Sequence, residues 1–361
     1  MRAAVTQGLG SVLLEDRPGP GGPVAGETVV RVEAVGICGS DLHLLHGDLG
    51  ATHEGLLPRV QGHEFSAVVA AADPAGSGPP VGTRVAVWPV LACGTCRPCR
   101  EGRVNVCRRL ALIGVHRDGA LQEQLTVPTA AAVATPTLSS VQAALVEPVS
   151  IGVHAAARAR VSPGDTVVVF GAGPIGAASA LAARDRGGDV LVVDPVDARR
   201  DLLARAGFGV TWAEGAELAG QVLAHSGPDG PDVVLDTTGR AALLPTVLDV
   251  AGHGGRVAVV GLTSATAPTS PGPIPFKELD VLGVSCCTRD EFAAAADLVA
   301  RHPALADSLV SHVFPLDEVA GALALLDERP TEAVKVLVDV SGDTRLPTGP
   351  GAGDPMTGAF R

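Results

Sequence analysis

The 361-residue chain contains no tyrosine. Any reaction that needs a tyrosine hydroxyl as its proton donor is therefore excluded. Charged residues are scarce, at 18% against 46% hydrophobic residues, a balance that fits a globular chain and not a disordered one. With a formal net charge of -12 the chain also lacks the Lys/Arg cluster that binding to a phosphate backbone requires. The most basic segment, Arg97 to Arg109, is interleaved with cysteines, which point elsewhere. Met1 to Gly10 has no basic flank, apolar core or small-residue cleavage site of a secretory signal, so a cytoplasmic location is expected. One uncharged run, Thr166 to Ala183, reaches the length of a membrane span. Gly171, Gly173, Pro174 and Gly176 break it into a strand and a helix, and no transmembrane segment is expected. No repeat of fixed period is present.

The length exceeds what one hydrophobic core usually serves, so two domains are expected. From Met1 to about Pro89, short β-rich runs such as Thr28 to Val35 and Ser66 to Ala72 alternate with Gly/Pro turns. Within this part, Gly36 to His43 reads Gly-Ile-Cys-Gly-Ser-Asp-Leu-His. It offers a thiolate at Cys38, a hydroxyl at Ser40, a carboxylate at Asp41 and an imidazole at His43. Gly62, His63 and Glu64 follow. These are the parts of a catalytic metal site, although each residue alone has an ordinary packing role.

A reducing compartment makes metal or catalysis the first reading for the seven cysteines. Four of them, Cys93, Cys96, Cys99 and Cys107, have the spacing of a tetrahedral Zn²⁺ loop, with iron as the minor alternative. Four sulfurs leave no open position, so that site is read as structural.

From Ser162 strand alternates with helix. Candidate strands are Thr166 to Phe170, Asp189 to Asp194, Gly209 to Trp212, Asp232 to Asp236, Gly255 to Gly261 and Leu279 to Ser285, which predict a doubly wound parallel sheet. The first turn reads Gly171-Ala-Gly173-Pro174-Ile175-Gly176. It follows a strand, opens a helix and is followed by Asp194 at the end of the second strand, the context of a dinucleotide fingerprint. Asp194 can accept from both ribose hydroxyls and would repel a 2′-phosphate, which favours NAD over NADP. Arg199 reads either as lying along the ribose or as a helix-surface charge. Further elements are expected at Glu291 to Arg301, Val310 to Phe314, Leu316 to Asp327 and Lys335 to Val340.

Together these motifs resemble the zinc-dependent medium-chain alcohol dehydrogenase family, in its sorbitol and threonine dehydrogenase-like branch, over the chain up to about residue 342. The resemblance is carried by Gly36 to His43, Gly62-His63-Glu64, the four-cysteine loop and Val146-Glu147-Pro148. The family's alcohol dehydrogenases proper have a cysteine where this chain has Glu147, which is why the polyol branch fits better. The resemblance implies an α/β protein: a GroES-like β-rich catalytic domain at 1–149 and 287–342, and a Rossmann domain at 150–286. Residues 343–361 are expected to form a flexible tail.

It further implies two zinc ions per chain. Cys38, His63 and Glu147 would hold the catalytic one, with Glu64 either a fourth, exchangeable ligand or an outer carboxylate, and Asp41 would accept from the far nitrogen of His63. The implied reaction is hydride transfer between a secondary alcohol of a polyol, cyclitol, sugar or amino alcohol and NAD, with zinc as Lewis acid on the substrate oxygen. Ser40 and His43 would relay the proton, unless Ser40 simply caps its helix and His43 is solvated. Glu147 alternatively reads as a carboxylate on a helix dipole. A homodimer or homotetramer is implied. The rival readings are an NADPH-dependent carbonyl or conjugate reductase with only structural zinc, and a catalytically silent nucleotide-binding protein.

The chain departs from the family pattern at Gln122-Glu123-Gln124, where Ala-Glu-Tyr is common, and at Cys286 and Cys287, which read as pocket residues or buried thiols. His46, His53, His116 and His154 read as surface or core histidines. Residues 46–54, Arg117 and residues 287–289 are expected to shape the substrate pocket.

Overall fold

The computed structural model describes residues 1–48, 55–213, 215–266 and 269–344. The expected pocket residues 49–54, including His53, and the tail from 345 onward lie outside these. Thr344 is buried and its amide donates to Asp339 at 3.1 Å, so the chain is anchored up to that point.

The amino-terminal half is β-rich. The strand Glu27–Gly36 lies at its centre, antiparallel to Glu64–Ala71 on one side and to the carboxy-terminal strand Lys335–Asp339 on the other. Val29, Val30, Val32 and Val35 of this strand are buried, together with Phe65, Leu121, Val336 and Val338. The register sets Gly36 beside both Glu64 and Leu337. Three segments far apart in sequence therefore end at one place.

The second half is a six-stranded parallel sheet, formed by Thr166–Phe170, Asp189–Val193, Gly209–Thr211, Val233–Asp236, Arg256–Val259 and Asp280–Gly283. In space the third strand leads, followed by the second, first, fourth, fifth and sixth. All six lie within the expected runs. Successive residues of the first strand face opposite layers: Val167 and Val169 join one core cluster, Val168 and Phe170 the other. That is the pattern of a sheet covered by helices on both faces. The strand order reverses beside the first strand, and in such sheets ligands bind outside the carboxyl ends of the strands at that crevice.

The helices Val146–Arg158 and Pro174–Asp185 cross closely, and the first of them runs through residues 149 and 150, where a domain boundary was expected. A Cβ on Gly152 would lie 2.4 Å from the Ala178 carbonyl carbon, so only glycine permits this approach. Helix Arg289–Arg301 contributes Phe292, Ala295, Leu298 and Val299 to the same core cluster.

Candidate active site

Cys38 begins the helix Gly39–His46, and Asp41 caps it, Oδ2 accepting from the Cys38 amide at 2.9 Å. The capping role considered for Ser40 thus falls to Asp41. Ser40 turns the other way, its hydroxyl 3.4 Å from His63 Nε2. Asp41 Oδ1 faces His63 Nδ1 at 3.8 Å, and neither atom has a hydrogen-bond partner. That separation is ionic but longer than a hydrogen bond.

His63 is delivered by a tightly clamped turn. Ala120 donates to the Gly62 carbonyl at 2.9 Å and Gly119 to that of Val60 at 2.7 Å. A Cβ on Gly119 would lie 2.3 Å from the Gly62 oxygen, so the residue type is dictated by backbone packing. Gln61 adds a polar tie, accepting from Thr6 at 2.6 Å and donating to the Asp41 carbonyl at 2.8 Å.

Glu64 is paired with Lys335, both side chains at most 3% exposed, and Lys335 Nζ also donates to the Ile37 carbonyl at 2.8 Å. A Cβ on Gly36 would fall among Glu64 Oε2 and Lys335 Cε, so the glycine at the head of the motif makes room for this pair. Sequence reasoning missed Lys335. A signal existed, because Lys277 and Lys335 are the only two lysines in a chain with 27 basic residues.

Among the described residues, ligand atoms of Cys38, His63 and Glu64 lie within 4.8 Å of one another. Glu147, in the first turn of its helix, is buried and feels the charges of His63 and Glu64 but is not one of that trio. Burial, partly offset by His63, pushes its carboxyl up to about 7. Burial also raises Asp41. For His63 burial opposes the charge, but Asp41 and Cys38 outweigh it and hold the imidazole well above its ordinary value. A half-buried thiol, a buried imidazole and a buried carboxylate converge, and Asp41 Oδ1 and His63 Nδ1 beside them lack hydrogen-bond partners, a donor set that suits a divalent cation.

The four-cysteine loop is closed on itself. Sulfur separations of 3.4 Å for Cys96–Cys99, 3.8 Å for Cys96–Cys107 and 4.0 Å for Cys93–Cys99 surround a common centre. Zn–S bonds of about 2.3 Å in a tetrahedron require about 3.8 Å between sulfurs. Amide and hydroxyl donors of Thr95, with Arg109, draw the Cys93 thiol down to about 4, while burial and the adjoining sulfurs push Cys99 up to about 12. One thiolate is ready and its neighbour resists ionising, a conflict that a bound cation resolves.

At the dinucleotide turn, Gly171 has φ +100° and a Cβ on Gly176 would lie 1.9 Å from the Gly171 oxygen. Pro174 and Ile175 open the following helix. Asp194 is buried, its oxygens accepting from the Ala172 amide at 2.7 Å and the Val196 amide at 2.8 Å. Each oxygen keeps a lone pair for a ribose hydroxyl. Arg199 donates instead to the carbonyls of Pro330 and Ala333, so it bridges to the turn before the Lys335 strand.

His43 pairs with Asp48 at 2.7 Å at the surface, its side chain 31% exposed. Cys287 is buried, its sulfur 3.1 Å from Ser150 Oγ. Cys286 is half-buried, adopts φ +50° and lies within the electrostatic reach of Glu147 and His63. His154, expected to be ordinary, sits in a buried polar network.

Residues 24–137 match the alcohol dehydrogenase GroES-like domain and residues 174–301 the zinc-binding dehydrogenase domain. The 2-dehydro-3-deoxy-L-galactonate 5-dehydrogenase of Pseudoalteromonas atlantica is 33% identical over 89% of this chain and 94% of that protein. Sorbitol dehydrogenase of Bacillus subtilis is 31% identical over 94% of this chain and 97% of its own. The structure of the alcohol dehydrogenase RspB from Escherichia coli CFT073, complexed with NADH, superposes with a TM-score of 0.84 at 30% identity, covering 94% of this chain and 99% of that one. The chain belongs to the zinc-dependent medium-chain alcohol dehydrogenase family. It is a dehydrogenase that moves hydride between a secondary alcohol and a nicotinamide cofactor, and the relatives do not favour the reductase alternative. No helix among the described residues is long and apolar enough to cross a membrane.

Proposed function

We propose that the enzyme oxidises a secondary hydroxyl of a polyol, cyclitol, sugar or amino alcohol with NAD, and that it carries two zinc ions per chain. The observation that carries this reading is the convergence of Cys38, His63 and Glu64, with buried Glu147 within their electrostatic range, in a chain that also carries a Rossmann sheet. The sugar-acid and sorbitol dehydrogenases among its relatives support a polyhydroxylated substrate. NAD is favoured over NADP because Asp194 lines the turn as a carboxylate and Arg199 is engaged by backbone carbonyls.

Cys38, His63 and Glu147 would hold the catalytic zinc, with Glu64 as an exchangeable ligand or outer carboxylate, and the four-cysteine loop would hold the structural one. Zinc bound there supplies Lewis acidity toward the substrate hydroxyl. Lys335 balances the charge of Glu64 and restrains it. Asp41 orients His63 through its Nδ1 face. Ser40, its hydroxyl 3.4 Å from His63 Nε2, would take the substrate's proton, and His43, paired with Asp48 at the surface, would pass it to water.

We assign residues 1–149 and 287–342 to the catalytic domain and 150–286 to the cofactor domain. The pairing of Lys335–Asp339 with Glu27–Gly36 supports the return of the chain to the first domain. The edge strand Asp280–Gly283, with exposed Val281 and Phe276 nearby, supports a homodimer or homotetramer joined at that edge.

The test is a screen of polyols, cyclitols, sugar acids and amino alcohols with NAD and NADP, following reduced cofactor, alongside elemental analysis. Two zinc per chain and NAD-linked oxidation are expected. Failure of every alcohol with both cofactors overturns the reading.

A further inference from the structure

We propose that Asn105, His154 and Glu291 are positioning residues that hold Ser285–Cys287 against the cleft and tie its placement to the four-cysteine loop. Asn105 is buried two residues before Cys107. Its Nδ2 donates to the Ser285 carbonyl at 2.9 Å and lies 3.2 Å from His154 Nε2. On the far side, His154 Nδ1 is 2.9 Å from both Glu291 oxygens. An ionised carboxylate only accepts, so Nδ1 carries the hydrogen and Nε2 is left as the acceptor for one amide hydrogen of Asn105; the other goes to Ser285. One assignment of donors satisfies the whole chain of groups.

Glu291 also accepts from the Thr288 amide and hydroxyl, each at 2.8 Å. Segment 285–288 is thus pinned at both ends. Between the pins, Trp88 Nε1 donates to the Cys287 carbonyl at 3.2 Å. The residue left unpinned is Cys286, held at φ +50° where a residue with a side chain pays a conformational penalty. Cys287 Sγ lies 3.1 Å from Ser150 Oγ, which donates to the Glu147 carbonyl at 2.6 Å, so the segment packs against the helix turn that carries Glu147. It also follows the last strand of the Rossmann sheet at its carboxyl end, where the reactive part of a cofactor belongs.

The inference rests on the dehydrogenase reading for its cofactor readout, but Trp88 reports the segment's placement independently. Trp212→Phe leaves Trp88 as the single tryptophan. In that background the full-length, zinc-loaded variants Asn105→Ala, His154→Ala and His154→Gln are compared by Trp88 emission, NADH titration, zinc content and thermal unfolding. The two alanine variants are expected to shift Trp88 emission and weaken NADH binding about tenfold, the equivalent of one buried hydrogen bond, with zinc content unchanged. Glutamine can accept from Asn105 and donate to Glu291, so His154→Gln is expected to restore both readouts. If the alanine variants do not fold, restoration in His154→Gln compared with His154→Leu decides instead. Unchanged Trp88 emission, or a fall in thermal stability that glutamine does not rescue, overturns the proposal. Failure of the parent to bind NADH would sink the dehydrogenase reading, and the Trp88 comparison would still decide this one.

Discussion

Lys335→Met should expose how strongly the candidate site depends on one buried ion pair. The Lys335 and Glu64 side chains are 3% and 1% exposed, and Lys335 also satisfies the Ile37 carbonyl at 2.8 Å. Methionine keeps the apolar volume but leaves Glu64 buried without its cation. Breaking a buried pair by removing one partner costs about 3–5 kcal/mol, because the remaining charge has lost both water and partner. The surface pair Arg97–Glu101, 80% and 40% exposed, provides the control, and Arg97→Met should leave the unfolding midpoint essentially unchanged. The assay is urea unfolding of the metal-free protein, followed by Trp88 emission after Trp212→Phe. Glu64→Gln/Lys335→Met should recover most of the loss, with a coupling of about 2 kcal/mol or more in the double-mutant cycle. Added Zn²⁺ should also stabilise Lys335→Met more than the parent, since the ion supplies the missing positive charge. An unchanged unfolding midpoint for Lys335→Met, or a double variant no better than the single, would refute the reasoning.

Three further outcomes follow from the same geometry. Burial raises Glu147 from 4.5 to about 7, so in the metal-free protein its stabilising contribution is full below pH 4.5 and is lost as pH rises through about 7. At about 1.4 kcal/mol per pH unit this window spans up to about 3 kcal/mol, and Glu147→Gln should flatten it in a series of unfolding curves. Zinc affinity should run the opposite way, rising with pH, because the ligands must be deprotonated to bind. Gly119→Ala places a Cβ 2.3 Å from the Gly62 oxygen and should destabilise by about 1–3 kcal/mol. By displacing the turn before His63 it should lower zinc content from two toward one per chain, measured by elemental analysis, while the four-cysteine loop keeps its metal.

Much of this protein was legible because its signals are local. A closed four-thiolate loop needs only short spacings between Cys93 and Cys107, whose sulfurs lie 3.4 to 4.0 Å apart in the three closest pairs. The dinucleotide turn is likewise a matter of six consecutive residues, with the strands and helices around it announced by their periodicity. The absence of tyrosine excluded one class of proton donor before any fold was known. Roles that depend on distant partners were not legible. Ser40 faces His63 and not the helix amides because Asp41 occupies the cap. Lys335 matters only because antiparallel pairing brings the last strand beside Gly36, roughly three hundred residues earlier in the chain. His154 looked ordinary in sequence because its partners, Asn105 and Glu291, come from a cysteine loop and a helix on either side of it. Residue types and local turns thus determined the class of chemistry, while sheet register and helix packing decided which side chains meet, because burial and pairing belong to contacts that the order of residues does not contain.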